Sequence, residues 1–428
     1  MRTKTRSPRF TGLLTLGLMS VSLVACGSTT SQGSAEAANI ADCSPEGVSI
    51  SAQYLSYGAS AAESAKETIE EKHSGLTVEL KEAPGTGYDE LTQQIVADIA
   101  AGERSDVIMV GLNQVRFWVD QYEPKPLDVS TLPSTYDQRF LQAGSVDDTP
   151  YTAPFQTSVP VLITNTSLTE GAGVTEAPTN YSEWLDSAEQ VSEHTGQASV
   201  HVARTAIADW PAQAFIQSAG GTLVDEEGKP AFDTEEGREG LSILEELGSS
   251  GLHDSIDVVE ALNQFTAGNL PYLVYSPQIA ASFQEQIGES FDWTVTDLPI
   301  PDNGSAELPI GGNGWMVLSQ DECKAAYSNE FISEMMSTEN IAQSSKEWSY
   351  IPVDTEAARI LSEDPAAETQ VGYTWTYEGT PTSWGGWHGD TTPSANRALE
   401  DMVQRLTNGE SVDIVVPETV KDIEREIG

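Results

Sequence analysis

Positive charge is scarce in this sequence of 428 residues. It holds 21 Lys and Arg against 66 Asp and Glu, which gives a formal net charge of −45 at pH 7. Contacts to nucleic-acid phosphates are made chiefly by Lys and Arg, which displace bound counterions. We therefore do not expect nucleic acid as a partner. The rest of the composition, 39% hydrophobic and 20% charged, is typical of a globular protein, and the length allows two or three domains.

Catalytic motifs are also absent. The sequence has no G-x-S-x-G elbow, no H-E-x-x-H pair, no P-loop and no paired C-x-x-C. Its five histidines lack the spacing of metal ligands, and its carboxylates are too numerous for any one pair to indicate a glycosidase. We therefore expect no catalytic residue, no metal and no cofactor, and an enzyme is the weaker hypothesis.

Long apolar runs are missing except for one near the N-terminus, at 10–24. That run is too short to cross a bilayer comfortably, and it follows a cationic stretch and precedes Ala25 and Cys26. The pattern is that of a secretory signal, and its end resembles a bacterial lipobox. We predict a signal peptide over 1–25 and a lipid on Cys26, which would anchor the chain to the outer face of the cell membrane through that lipid only. Ordinary cleavage nearby is the alternative. The cationic residues are Arg2, Lys4, Arg6 and Arg9.

Cysteine is rare as well, with three residues in the chain. After Cys26, residues 26–46 are rich in Gly, Ser, Ala and Thr and are predicted to be a flexible tether. Cys43 lies near its end, and Cys323 is the only other cysteine. Two remaining cysteines in an exported protein pair more often than they stay free. A Cys43–Cys323 disulfide and two free thiols both stay open.

From residue 47 onwards, strand-like and helix-like segments alternate. Short apolar runs bounded by Gly, Pro or Asn are typical of buried parallel strands, and longer stretches with leucines three or four apart are typical of helices. This alternation indicates the α/β class. The strands are predicted at 106–111, 159–165, 270–276 and 314–319, and the helices at 59–72, 234–247, with Gly248 as the stop, and 394–407.

Several segments together resemble a known family. The string GGTLVDEEGKPAFDTEEGREGLSILEELGSSGL at 220–252 resembles the extracellular solute-binding proteins of sugar-type ABC importers. The resemblance covers 47–428 and comes nearest to the binders of glycerol-3-phosphate and glycerophosphodiesters. Further matching segments are PGTGYDELTQQIVADIAAGERSDVIMVG (84–111), APFQTSVPVLITN (153–165), GNLPYLVYSP (268–277), IGGNGWMVLS (310–319) and SYIPV (349–353).

The resemblance implies a periplasmic-binding-protein-like fold, with two α/β lobes, a hinge and a ligand cleft between the lobes. The expected ranges are 47–159 plus 275–314 for lobe one and 160–274 plus 315–428 for lobe two. A monomer is expected, whose closed form would be recognised by ABC permease subunits.

The resemblance also implies a set of ligand-binding residues in loops facing the cleft. One departure stands out, because His388 occupies the position where the glycerol-phosphate binders have an Arg. A neutral His is a poor match for a doubly charged phosphate, so a sugar or a capped phosphodiester becomes the preferred ligand. Trp384 and Trp387 are expected outside the core because of their Gly-rich setting, whereas Trp118 and Trp315 have core packing as their alternative. The expected ligand-binding residues are Tyr88, Asn113, Ser158, Trp210, Ser276, Gly312, Tyr350, Trp384, Trp387 and His388.

Three functional classes follow. The preferred one is a lipid-anchored, substrate-binding component of an ABC importer that captures a carbohydrate or a glycerol-phosphate-like solute. The alternatives are a surface receptor or adhesin on the same fold and, less favoured, a secreted glycoside hydrolase.

Overall fold

The fold is described from a computed structural model of the chain. The structure describes residues 40–85 and 87–427. The predicted signal peptide, the lipid-bearing Cys26 and the tether as far as residue 39 lie outside the described residues. Within the described part, no helix is both long enough and apolar enough to cross a membrane.

The chain alternates between strands and helices, as its sequence pattern predicts. In chain order the strands are β1 (Ser49–Tyr54), β2 (Thr77–Glu82), β3 (Val107–Gly111), β4 (Ser145–Val146), β5 (Thr149–Pro150), β6 (Thr152–Ser158), β7 (Val161–Asn165), β8 (Val200–Val202), β9 (Tyr272–Tyr275), β10 (Trp293–Asp297) and β11 (Gly311–Val317).

The helices in chain order are α1 (Ala59–Lys72), α2 (Tyr88–Ala100), α3 (Val115–Tyr122), α4 (Thr166–Gly171), α5 (Tyr181–Thr195), α6 (Asp209–Ser218), α7 (Glu235–Ser249), α8 (Val258–Thr266), α9 (Ala280–Ile287), α10 (Glu322–Met335), α11 (Thr338–Trp348), α12 (Thr355–Ser362), α13 (Thr392–Thr407) and α14 (Val412–Ile427). Many begin at a side chain that accepts a hydrogen bond from the first turn, such as Asn180, Thr234 and Asp321.

Two sheets organise the body. The first has the order β2-β1-β3-β11-β6, in which β11 runs antiparallel to both of its neighbours. The second has the order β10-β7-β9-β8. Strands β3 and β7 are buried along their whole length, which is why they read as short apolar runs, whereas the equally buried β6 carries Thr, Gln and Ser side chains. This is the mixed α/β, two-lobed architecture of the periplasmic-binding-protein-like fold.

The sheet pairing amends the ranges expected for the two lobes. Strand β10 lies in a segment assigned to lobe one, yet it pairs with β7 in the second sheet. Helices α10 and α11 lie in a segment assigned to lobe two, yet they pack on α1 beside the first sheet. We take lobe one as the elements on the first sheet and lobe two as those on the second. Helices α13 and α14, which pack on α7, belong with lobe two.

One predicted helix end is also corrected. Helix α7 continues through Gly248 to Ser249. A side chain at Gly248 would lie 2.6 Å from the backbone of Leu406 and Gly409, so this glycine permits close packing of α7 on the end of α13.

Cys43 and Cys323 form a disulfide, with Cα atoms 5.5 Å apart. The hydroxyl of Tyr327, one turn further along α10, donates to the carbonyl of Cys43 at 2.7 Å. The start of the folded body is therefore attached to lobe one at α10.

Candidate functional site

Two crossovers between the sheets run from β6 to β7 and from β10 to β11, and expected site residues lie at both. Ser158 ends β6 at the first crossover, and its hydroxyl is hydrogen-bonded at 3.2 Å to that of Ser276, which follows β9 in lobe two. The second crossover leads into β11, where Gly312 has a φ of +108°. A Cβ there would lie 1.9 Å from the carbonyl oxygen of Gln156 on β6, so only glycine fits. These three residues shape the hinge side of the cleft.

Tyrosines from both lobes line the cleft, with Tyr57, Tyr88 and Tyr350 on the lobe-one side and Tyr275, at the end of β9, on the lobe-two side. Tyr88 begins α2, and its hydroxyl accepts a hydrogen bond from Asn313 Nδ2 at 3.0 Å. Tyr350 is hydrogen-bonded to Tyr88, and the rings of Tyr57 and Tyr88 meet edge to face at 6.5 Å. Burial raises the pKa of Tyr88, Tyr350 and Tyr275. The hydroxyls therefore stay protonated at neutral pH and can both donate and accept hydrogen bonds.

A pair of indoles lies on the lobe-two side. The rings of Trp210 and Trp384 are 5.8 Å apart, and each nitrogen has a fixed acceptor. Trp210 Nε1 donates to the carbonyl of Pro309 at 2.8 Å, and Trp384 Nε1 donates to Asp209 Oδ2 at 2.7 Å. A Cβ at Gly311 would lie 2.6 Å from the Trp210 ring, so this glycine lets the strand approach the indole. The two rings are held rigidly.

Carboxyl groups from both lobes face each other near these rings. Asp209 is buried at the start of α6, and burial raises its pKa to about 7, with Asp89 and Glu400 adding to the effect. Burial likewise raises the pKa of Asp89, opposed by a hydrogen bond from Gln114, and that of Glu400. Arg397 is the cation that lowers the last two. The cleft is thus acidic, and the raised pKa of Asp209 lies near neutral pH.

A pocket opens beside this cluster. It is bounded by 112–116 and 145–147 of lobe one and by 383–386 of lobe two, and it encloses about 460 Å³ of empty space, including solvent at its mouth. The Oδ1 atom of Asn113 is buried at its wall without a hydrogen-bond partner. A Cβ at Gly385 would lie 3.3 Å from the carbonyl of Asn113, so the two lobes meet at this point.

The structure therefore brings five expected residues together: Tyr88, Asn113, Trp210, Tyr350 and Trp384. It corrects the reasoning about the W-G-G-W-H-G loop. Both of its indoles are buried, and although Trp384 lines the pocket, Trp387 is 1% exposed and packs in the main hydrophobic core. Because Gly385 and Gly386 adopt positive φ, the loop turns so that the second indole points inward.

His388 has partners other than the tyrosines and indoles of the cleft. Its ring packs against the backbone of Gly228, where a Cβ would lie 2.3 Å from it, and its Nδ1 lies 3.4 Å from Arg116 Nη2. It therefore bridges the two lobes at the rim.

Sequence reasoning missed Asp209, Tyr57, Tyr275 and Asn313 as parts of the site. Asp209 is one acid among 66 acidic residues and carries no pattern of its own beyond its position at a helix start. Tyr275 could have been found from its neighbour Ser276 at the end of an apolar strand.

Among the described residues, no group of three or more His, Cys, Asp and Glu side chains could hold a metal ion. The buried pair His201 and His253, with ring centres 5.3 Å apart, lies in the core of lobe two.

Two lobes joined by crossovers around an aromatic and polar cleft define the class of two-lobed solute-binding proteins. The chain belongs to the bacterial extracellular solute-binding protein family, whose model matches residues 51–342, about two thirds of the chain. The family and the structural neighbours are binding proteins.

Solved structures agree in fold. The cyclic alpha-maltosyl-1,6-maltose binding protein of Arthrobacter globiformis has a TM-score of 0.76 at 16% identity, covering 89% of this chain and 99% of that chain. The sugar-binding protein MalE of Xanthomonas citri has a TM-score of 0.75 at 15% identity, covering 89% and 97%. UgpB of Mycobacterium tuberculosis, solved with glycerophosphocholine, has a TM-score of 0.72 at 17% identity, covering 88% and 98%.

Among curated proteins, a binding protein of Brucella abortus strain 2308 is 26% identical over 138 residues. This match spans 32% of this chain and about a third of the relative's length.

Proposed function

We propose that this protein is the substrate-binding component of an ABC importer, anchored outside the cell membrane by a lipid on Cys26, and that it captures a carbohydrate between its lobes and delivers it to a permease. Closure of the lobes around the solute shifts an open–closed equilibrium toward the form that a permease recognises. No chemical step is part of this function.

The observation that carries the proposal is the rigid pair of Trp210 and Trp384 beside Asp209, opposite the tyrosines of lobe one. Indole faces pack on the apolar faces of sugar rings, and phenol, amide and carboxyl groups hydrogen-bond to the hydroxyls around them. The free Oδ1 of Asn113 offers a further acceptor for a sugar hydroxyl.

Charge argues against a phosphate monoester. Three carboxyl groups, on Asp89, Asp209 and Glu400, face the cleft, and Arg397 is the counter-charge of the first and the last. At the rim Arg116 is already bonded to two carboxylates, those of Asp120 and Asp147. A doubly charged ligand would need a free bidentate cation; Arg116 does not offer one, and the charge of Arg397 already acts on Asp89 and Glu400.

A capped phosphodiester is the second candidate for the solute. The likeness to UgpB, solved with glycerophosphocholine, favours it, and tyrosine and tryptophan faces attract a quaternary ammonium group. A receptor without a small solute, or a hydrolase, are the further alternatives.

The test is thermal unfolding of residues 27–428 with a panel of monosaccharides, oligosaccharides, glycerol-3-phosphate, glycerophosphocholine and peptides. A bound solute at a hundredfold excess over Kd stabilises the protein by about 2.7 kcal/mol. Stabilisation by a sugar class supports the proposal and identifies the solute. Stabilisation by glycerophosphocholine alone favours the phosphodiester, product formation favours a hydrolase, and no shift in folded protein favours the receptor.

Matched variants check the placement of the site. Trp384→Phe removes the indole N–H and part of the ring, and we expect it to weaken solute binding by about 1–2 kcal/mol. We expect Tyr88→Ala to weaken solute binding by roughly 1–3 kcal/mol. Trp184→Phe makes the same change at an indole buried in α5 and should leave Kd unchanged. Equal affinities in all three variants would refute the placement.

A further inference from the structure

Beyond the residues that face the solute, the two lobes are bonded directly to each other at the rim of the cleft. Asp120, on α3 of lobe one, accepts a hydrogen bond from the backbone N–H of Gly389 in lobe two at 2.7 Å. The same oxygen, Oδ2, accepts from Arg116 Nε at 3.0 Å. Arg116 Nη2 in turn approaches His388 Nδ1 at 3.4 Å, with the arginine necessarily the donor.

The arginine is held in place by its own lobe. Its Nη1 donates to Asp147 Oδ1, on the turn between β4 and β5, at 3.0 Å. The side chain of Arg116 is 20% exposed and that of Asp120 is 22% exposed, whereas Asp147 is 80% exposed. The inner pair is therefore partly shielded from water, where charge-assisted hydrogen bonds retain more of their strength.

The lobe-two side of the contact is equally well positioned. His388 is packed on the backbone of Gly228. At the other end of the loop, Gln213 on α6 bonds the carbonyl of Ser383 at 2.8 Å and the N–H of Gly385 at 3.0 Å. The loop 383–389 thus moves with lobe two, and its bonds to α3 exist only while the lobes are together.

We infer that Arg116, Asp120, His388 and Gly389 form an interlobe clasp that holds the closed form and so sets solute affinity through the closure of the lobes. Its effect on affinity rests on the proposed function, whereas its effect on closure does not. The apparent affinity of a two-state binder scales with the population of its binding-competent form. Weakening the clasp should therefore weaken binding in proportion to the loss of closed form.

The first experiment needs no solute. Hydrogen exchange of the full-length protein in detergent is compared between wild type, Asp120→Ala and Asp413→Ala. The control, Asp413→Ala, also removes a carboxylate. Asp413 pairs with Arg238 at 2.8 Å, but this pair joins α14 to α7 within lobe two and does not link the lobes. We expect about tenfold faster exchange of the Gly389 amide in Asp120→Ala and wild-type exchange in the control. Wild-type exchange at Gly389 in Asp120→Ala would overturn the clasp.

The second experiment measures binding of the solute found in the panel. We expect Asp120→Ala to raise Kd about tenfold, through faster dissociation with little change in the association rate. The midpoint temperature of thermal unfolding of the solute-free protein should differ from wild type by no more than it does in Asp413→Ala. Asp120→Asn keeps an acceptor for Gly389 but loses the charge, so an intermediate effect is expected. Equal Kd in Asp120→Ala and Asp413→Ala would overturn the inference for affinity. If no solute binds, the proposed function fails while the exchange result still decides the clasp.

Discussion

Replacing Asp209 by Asn should stabilise the solute-free protein at neutral pH and leave it unchanged in acid. The carboxyl is 3% exposed, and its Oδ2 accepts from Trp384 Nε1 at 2.7 Å. Asn supplies an acceptor oxygen of the same shape, so the bond to the indole is retained. The substitution removes the ionisable carboxyl group, so this position no longer titrates.

The magnitude follows from the pKa of the carboxyl in the two states. Burial raises the pKa of Asp209 to about 7 in the folded protein, against about 3.9 in an unfolded chain. The folded state therefore binds the proton more tightly, and its advantage is complete below about pH 4. As pH rises from about 4 to about 7, the unfolded state ionises first, so the folded state loses about 4 kcal/mol from this one group.

The assay is urea unfolding of wild type and Asp209→Asn at pH 4.5 and pH 7.5, with the exposed Asp186→Asn as control. The difference between the variant and wild type cancels the titration of all other groups. We expect the variant to gain up to about 4 kcal/mol in the free energy of unfolding at pH 7.5 and less than about 1 kcal/mol at pH 4.5. An equal gain at both pH values, or a loss at pH 7.5, would show that the carboxylate is ionised in the folded state and would refute the reasoning.

Three further predictions concern the stability of the body. Replacing Cys43 and Cys323 by Ala opens a loop of about 280 residues and should cost roughly 5 kcal/mol in urea unfolding, a loss that a reductant reproduces in wild type. Burial lowers the pKa of His201 to about 4 and that of His253 to about 3. Above about pH 6.5 these histidines cost the folded state no stability, and below it the free energy of unfolding falls by about 1.4 kcal/mol per pH unit for each histidine. His253→Gln should therefore shift the midpoint of acid unfolding to lower pH. Trp387→Ala should cost about 3–5 kcal/mol of stability, because the indole is core; a variant as stable as wild type would contradict that placement.

The strands could be predicted from the sequence because their signal is local. Predicted strands at 106–111 and 270–276 correspond to β3 and β9, and the predicted helix at 59–72 is α1. A strand buried on both faces has to be apolar throughout, so it shows in a short window whatever it pairs with. The lobe to which a strand belongs depends instead on its pairing with segments that are distant in the sequence. Nothing in the sequence around 293–297 distinguishes a partner in β7 from one in the first sheet.

Family-like segments indicate candidate site residues, whereas a role that depends on burial cannot be read from the sequence. Tyr88 and Trp210 were expected by resemblance, and in the structure they are hydrogen-bonded to Asn313 and to the carbonyl of Pro309, respectively; that they bind solute stays a prediction. Trp387 was misjudged because glycines on either side of an indole indicate open backbone, whereas here they turn the indole inward. Asp209 could not be singled out, because what distinguishes it is loss of water and not its sequence neighbours.

Two sets of charged groups act on closure of the cleft in opposite directions. The carboxyls within the cleft oppose closure, and the clasp at the rim favours it. Besides burial, the charge of Asp89 of lobe one raises the pKa of Asp209 and of Glu400 in lobe two, so the approach of these carboxyls is unfavourable. The clasp at the rim acts in the other direction through Asp120 and the Gly389 amide. A solute shifts the equilibrium only by the contacts that it makes better in the closed form.

Hydroxyl groups that donate to the cleft carboxyls would relieve the repulsion between the lobes, whereas an anion would add to it. The net charge of −45 would also slow the approach of an anion at low salt. Anionic solutes should therefore bind with a lower association rate constant and a higher dissociation rate constant than neutral solutes. The difference in association rate should disappear as ionic strength rises, because exposed charges are screened. The difference in dissociation rate should persist, because Asp209 is buried. Salt-independent association rates for neutral and anionic solutes alike would show that the surface charge has no such role.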